Sequence, residues 1–199
     1  MKRALLSLGL WAALLSACEA PAREREVREA PQRIARRLEG ADLRGRKLDG
    51  AQLYRVRLAR ADLSDASFVG AFLASGDLSG VRAVDTDFRR ADLTRCNFSC
   101  ALLLGADLRQ ADLLQAHLRE ADLRGASFSG ANLKGVDVDL AHARSTVFLG
   151  ARDWSEDGLR SLSCWDEKTR WPEGFVPVEP TRSCHQHRVP PPASAGSDG

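Results

Sequence analysis

The chain has 199 residues, enough for one domain with an ordinary core plus tails. With 44% hydrophobic and 28% charged residues it is neither disordered throughout nor a multi-pass membrane protein. Its 29 Lys and Arg stand against 27 Asp and Glu, so bulk charge gives no reason to expect nucleic acid or an anionic surface as a partner.

Lys2 and Arg3 open the chain and an apolar run, residues 4–17, comes next. At about 1.5 Å per residue this run is too short to cross a hydrocarbon core of about 30 Å as a helix. Residues 1–17 therefore read as a signal peptide. Without Lys2 and Arg3 the charges balance, 27 against 27. The run closes on Leu15-Ser16-Ala17-Cys18, which resembles the lipobox of bacterial lipoproteins. The resemblance implies a diacylglycerol on the Cys18 sulfur, cleavage before Cys18 and acylation of the new amino group. Each buried methylene contributes about 0.8 kcal/mol, so two or more acyl chains would hold the protein on a membrane. Glu19 is not the Asp that retains lipoproteins in the inner membrane of enteric bacteria. The implied place is the cell envelope, outer membrane rather than inner.

Residues 18–35 are rich in Arg and Glu and include Pro21 and Pro31. The first half reads as a flexible tether. Pro31 suits the first position of a short helix running to about Arg37, with Ile34 and Leu38 turned inward to cover one end of the repeat core.

From Leu38 to Phe148 a five-residue period holds without an insertion. Twenty of its twenty-three central positions are Leu or Phe, the exceptions being Ala83, Val138 and Ala143. Two residues before the centre, Ala dominates, as at Ala61, Ala91, Ala106 and Ala121. Asp or Asn often lies between, as at Asp62, Asp107 and Asn132. A period of five fits neither ordinary element. On an α-helix, at about 100° per residue, such leucines spiral around the axis. Along a straight strand an odd period flips them between faces. The chain must turn once per repeat, and right-angle corners bring it back after four repeats, stacking residue i on i+20. The central residue and the small residue two before it then point inward. Phe68, Phe88, Phe128 and Phe148 differ by multiples of twenty, so one interior wall carries the large rings. Ala83 and Ala143, sixty apart, share another wall.

These features resemble the pentapeptide-repeat family, whose pattern stands here as Ala106-Asp107-Leu108-Arg109-Gln110. The resemblance covers residues 36–150. It implies an all-β fold, a right-handed quadrilateral β-helix of nearly six coils with short helical or irregular end caps. At roughly 4.8 Å per coil the rod would be about 28 Å long. A solenoid end must be covered. Residues 151–184 are expected to form that cap, with Ser155 capping a short helix to Leu162 and with Trp154, Leu159, Trp165 and Trp171 as apolar bulk. Residues 166–175 resemble the terminal stretch of many family members, where an Asp commonly comes after the Phe; here Val176 stands after Phe175. Residues 185–199 read as a disordered tail, rich in Pro and Gly from Val189 onward.

Cys18 aside, four cysteines remain. Cys164 and Cys184 flank the cap segment, and in an oxidising compartment they are expected to pair as a disulfide. Cys96 takes an inward small position and Cys100 an outward corner. His185 and His187 beside Cys184 are weak as a metal motif and read as solvated tail residues. His117 and His142 take outward positions on different faces. No phosphate loop, metalloprotease helix or nucleophile elbow occurs, so no catalytic residue, metal or cofactor is expected.

The outward positions carry one deviation from polarity. Val84, Leu102 and Leu104 stand outward on one face in neighbouring coils, with Phe72 and Leu114 expected on the next face. Such a patch rimmed by charge is a candidate partner surface, or a place where a terminal segment lies down. Three functions stand as alternatives. The first is a non-enzymatic envelope lipoprotein, a rigid module that binds or scaffolds a protein partner. The family resemblance supplies the second, because some members protect or inhibit DNA gyrase with acidic rods shaped like duplex DNA. Residues 36–150 carry 17 basic and 15 acidic side chains, which disfavours such a mimic, as does export. The third is a metal-binding or enzymatic tail using Cys184, His185 and His187. Family members often dimerise through their C-terminal ends, so a homodimer is also open.

Overall fold

The computed structural model describes residues 38–177. The five-residue period becomes a stack of square turns. Four columns of parallel bridges run up the four walls, beginning with Asp42–Asp62, Lys47–Ser67, Gln52–Phe72 and Arg57–Asp77. Every pairing through Asn132–Arg152 joins residues twenty apart. Each wall touches the next turn through isolated bridge residues rather than through long strands, because only the residue between two corners is extended.

Apart from the one at 83–86, the corners are hydrogen-bonded four-residue turns, as in Ala41 N–H to Leu38 C=O at 3.0 Å and Ala106 N–H to Leu103 C=O at 3.1 Å. Their third residues have positive φ, the signature of a type II turn. Fourteen of the residues in this left-handed region are not glycine, including Arg55, Gln110 and Glu120. Isolated, each would be disfavoured by about 1–2 kcal/mol. The stack compensates, since the corner N–H of one turn bonds the next, as Arg55 N–H does to Ala74 C=O at 3.0 Å. Gly105 is a corner where glycine matters twice. It has φ of 66°, and an added Cβ there would run into the Asp85 carboxylate of the turn before.

The interior is filled by the central and small residues. Leu58, Leu63, Phe88, Leu103, Leu108 and Leu123 are fully buried, and burying such side chains contributes about 1.5–3 kcal/mol each. The aromatic wall stacks as the twenty-residue register requires. Phe68 and Phe88 lie 5.3 Å apart at 19°, and Phe128 and Phe148 lie 5.3 Å apart at 15°. Phe98 meets Phe88 edge-on from the facing wall at 5.9 Å. Three hydroxyls occupy small inward positions and bond a carbonyl of the turn below. Thr86 donates to Leu63 and Thr146 to Leu123, both at 2.8 Å, and Thr169 donates to Ala143 at 2.8 Å. Among the described residues no buried side-chain polar atom lacks a partner.

Beyond Arg152 the register lengthens. The helix α1, Glu156–Arg160, interrupts the walls, capped by Ser155, whose hydroxyl accepts the Gly158 N–H at 3.0 Å. It is shorter than the expected 155–162, because Ser161 caps its C-terminus and Leu162 turns into the core. The chain then resumes the stack, with Cys164 bridged to His142 and Arg170 to Val147, 22 and 23 positions apart instead of 20. Trp171 continues the aromatic wall, stacked on Phe148 at 5.7 Å and 10°. Trp165 and Phe175 close around it at 5.7 and 4.8 Å. The cap is thus a partial last turn, plugged with aromatic rings.

Candidate functional site

The described residues present four outer walls, and the site residues expected from sequence distribute over them unequally. Leu102 lies on the wall of Asp42, Asp62, Arg82, Asp122 and His142. Val84 and Leu104 stand at the adjoining corner, one turn apart, and Asp85 N–H bonds Leu104 C=O at 2.8 Å. All three side chains are half-buried. They form one cluster.

Phe72 and Leu114 do not join it. Phe72 bridges Gln52 and Asp92, on the wall half a turn away from Leu102. Leu114 lies at the corner of that same opposite wall, two turns further on. Ten positions make half of a twenty-residue turn, so these residues face away from the cluster instead of adjoining it. Phe72 remains 46% exposed, as an isolated surface ring. The clustered surface therefore reduces to Val84, Leu102 and Leu104.

Ion pairs frame that cluster along the wall. Before it, Asp62 lies 3.9 Å from both Arg44 and Arg82, and the Ser64 hydroxyl donates to Asp62 at 2.7 Å. After it, Arg124 meets Asp122 at 2.6 Å, and that hydrogen bond raises the guanidinium above its ordinary value. At the start of the wall, the hydrogen bonds from Arg44 hold the Asp42 carboxyl at about 2. Beside Leu104 the Asp85 carboxylate covers the corner at Gly105, whereas Gly125 one turn on has only the Gly105 backbone near it and leaves its own backbone open to a partner. The sequence contained Gly125, but only the register places it against the apolar cluster.

The next wall is different in kind. Asp87 and Arg89, then Asp107 and Arg109, alternate at 2.7 and 2.5 Å, with Arg89 also 3.7 Å from Asp107. The Arg89 hydrogen bonds hold the Asp87 carboxyl below its usual range. These are self-satisfied surface ladders, and exposed pairs of this kind contribute little each.

Cys96 is buried, its thiol donating to the Leu73 carbonyl at 3.1 Å, and burial pushes it up to about 12. Cys100 is exposed at its corner. Cys164 is half of a disulfide. Cys184, its expected partner, lies outside the described residues, as do Cys18, His185 and His187. His117 and His142 sit on different walls. Among the described residues no group of three or more His, Cys, Asp or Glu is placed to hold a metal ion. A shallow depression of about 510 Å³, lined by Asp42, Arg44, Gly45, Arg46 and Asp65, gathers no nucleophile with a base. Among the described residues no helix is long and apolar enough to cross a membrane.

The fold and its repeat define a class. A family model described as pentapeptide repeats matches residues 37–73, 77–103 and 101–139 in eight copies. The chain belongs to the pentapeptide-repeat family, and its fold is the right-handed quadrilateral β-helix. A pentapeptide repeat protein from the thylakoid lumen of Arabidopsis thaliana is 27% identical with a TM-score of 0.51, over 52% of this chain and 72% of that one. Rfr23 from the cyanobacterium Cyanothece is 21% identical with a TM-score of 0.47, over 66% and 88%. A pentapeptide repeat protein from Nostoc is 32% identical with a TM-score of 0.35, over 55% and 77%. No curated protein matches.

Proposed function

We propose that this chain is a non-enzymatic lipoprotein of the cell envelope, a rigid rod of nearly six coils that binds or scaffolds a protein partner. The observation that carries the binding reading is the cluster of Leu102 on one wall with Val84 and Leu104 at its adjoining corner, framed by the Arg82–Asp62 and Arg124–Asp122 pairs of that wall. Apolar side chains bounded by fixed charges offer burial area and a register for a partner. Cys18 would carry the acyl anchor, and a Cys164–Cys184 disulfide would staple the cap. Placement in the outer membrane rests on Glu19 after the lipidated cysteine.

A DNA-mimicking role toward a topoisomerase is not favoured, since residues 36–150 carry 17 basic against 15 acidic side chains. A metal-binding or enzymatic tail would rest on Cys184, His185 and His187 alone.

The test is Leu104→Arg in the native host. In-cell cross-linking from the Leu102 wall should lose its partner band, while circular dichroism of the purified variant keeps the wild-type spectrum. An unchanged cross-link would discard the wall as the binding surface.

A further inference from the structure

Charge is distributed unevenly along the rod. Residues 38–60, the first turn and the corner after it, carry six basic side chains (Arg44, Arg46, Lys47, Arg55, Arg57 and Arg60) against the three acids Glu39, Asp42 and Asp49. Residues 61–177 carry 13 basic against 18 acidic side chains. The first turn is therefore net +3 and the remainder net −5 by the same counts. The neutrality of the whole hides a rod with opposite signs at its two ends.

All six basic side chains of the first turn are exposed. They surround it, since Lys47 starts one column of bridges, Arg57 another, and Arg44 lies just past the start of a third. Asp42 is taken up by Arg44 at 2.7 Å, and Glu39 lies 3.8 Å from Arg57. The Asp49 carboxylate accepts the Val69 N–H at 3.0 Å and the Ser67 hydroxyl. Among the described residues, Lys47, Arg55 and Arg60 have no carboxylate partner. Arg55 instead lies over the ring of Tyr54 at 5.1 Å. Tyr54 is the chain's single tyrosine and is 54% exposed. An exposed tyrosine among cationic side chains is the composition that settles at a bilayer headgroup layer.

We propose that the rod stands end-on against an anionic phospholipid surface, its basic first turn and Tyr54 in the headgroup layer. Of the second-turn carboxylates, which lie inside a Debye length of about 8 Å, Asp62 is shared by Arg44 and Arg82 at 3.9 Å each, while those beyond the third turn are farther than that from the lipid phosphates and repel them little. The contact needs no acyl chain; the envelope reading only supplies a place where such a surface is met. Electrostatic docking of this kind would hold upright a rod that an acyl tether alone leaves free to tilt, presenting the wall of Val84, Leu102 and Leu104 sideways.

The experiment is co-sedimentation of the chain without residues 1–17, carrying Cys18→Ala, with vesicles of phosphatidylethanolamine and phosphatidylglycerol, and with vesicles in which phosphatidylcholine replaces the phosphatidylglycerol. The test variant adds Lys47→Gln, Arg55→Gln and Arg60→Gln. Glutamine already occupies the same corner geometry at Gln110 and Gln115, with φ of 61° and 55°, and Gln52 occupies the wall position, so the fold tolerates all three. A control variant carries Arg90→Gln, Arg95→Gln and Lys134→Gln, exposed further along the rod. Each basic group near an anionic surface favours binding about fivefold, so the test variant should bind anionic vesicles about a hundredfold more weakly. The control should bind as the parent does, and high salt should erase the difference. Equal affinity of test and control variants, or binding indifferent to phosphatidylglycerol, would overturn the proposal. Because Cys18→Ala is present throughout, neither result depends on whether Cys18 is acylated.

Discussion

Replacing Asp166 by Ala removes the acceptor that fastens the cap to the last complete turn. Its carboxylate takes the Ser145 N–H at 2.7 Å, the Ser145 hydroxyl at 3.1 Å, the Thr169 N–H at 3.1 Å and the Lys168 N–H at 3.2 Å. Arg144 adds a longer ion pair at 3.7 Å, in which the Asp166 side chain is 20% exposed. Hydrogen bonds to a charged group contribute about 1.5–3 kcal/mol each, but water can replace part of this set, and Thr169 N–H keeps the Asp166 carbonyl at 3.0 Å. The expected loss is about 2 kcal/mol of cap docking, close to thirtyfold in its opening equilibrium. Native-state hydrogen exchange reads this at two amides, Ala143 bonded to Cys164 at 2.7 Å and Phe148 bonded to Arg170 at 2.6 Å. Both should exchange about thirtyfold faster, while Leu93 in the middle of the rod keeps its protection. Unchanged exchange at Ala143 and Phe148, or equal loss at Leu93, would refute the idea that Asp166 pins the cap.

The same residue sets a pH dependence. Burial raises the Asp166 carboxyl, but hydrogen bonds from Ser145, Thr169 and Lys168 outweigh it and hold the group below its ordinary 3.8. A carboxylate depressed in the folded state contributes stability that is complete above the unfolded value and lost as pH falls through the folded one. Cap protection in the wild type should therefore decline only below about pH 4, and Asp166→Asn should flatten that decline.

Three further outcomes concern the interior and its cysteines. Phe88→Ala removes a fully buried ring stacked on Phe68 and edge-on to Phe98, and should cost about 3–5 kcal/mol, read as a lowered urea midpoint. Thr146→Val keeps the shape but loses the hydroxyl bond to Leu123, and should cost about 1 kcal/mol in the same assay. Brief maleimide treatment of the native protein should label Cys100, whereas Cys96 should react only after unfolding, as peptide mass spectrometry would show.

Much of the fold was legible because one physical demand repeats. A five-residue spacing of Leu38, Leu43, Leu48 and their successors can bury one side only if the chain turns each time, and the spacing of Phe68, Phe88, Phe128 and Phe148 announced the twenty-residue register seen in Asp42–Asp62. Ser155 was readable as a cap for the same local reason that makes it one. The cap's geometry was less legible. Trp171 stacks on Phe148 only because α1 and the Asp166 turn insert three positions, and nothing in the five-residue rule counts an insertion. The roles of Thr86, Thr146 and Thr169 were hidden because a hydroxyl at a small inward position looks like a substitute for Ala until the carbonyl it reaches is known. The apolar surface was half legible. Val84, Leu102 and Leu104 converge by adjacent register, while Phe72 and Leu114 failed to join them because ten positions separate opposite walls, not neighbouring ones. The charge asymmetry was present in the residue order throughout, but it becomes a property of one end only once the turns are stacked.

The most direct test of an envelope-anchored rod is the intact mass and fractionation of the protein from its host, wild type beside Cys18→Ala. The wild type should sediment with membranes and begin at an acylated Cys18, while Cys18→Ala is released from that fraction or remains unprocessed. A wild-type protein that is soluble and retains residues 1–17 would contradict the account.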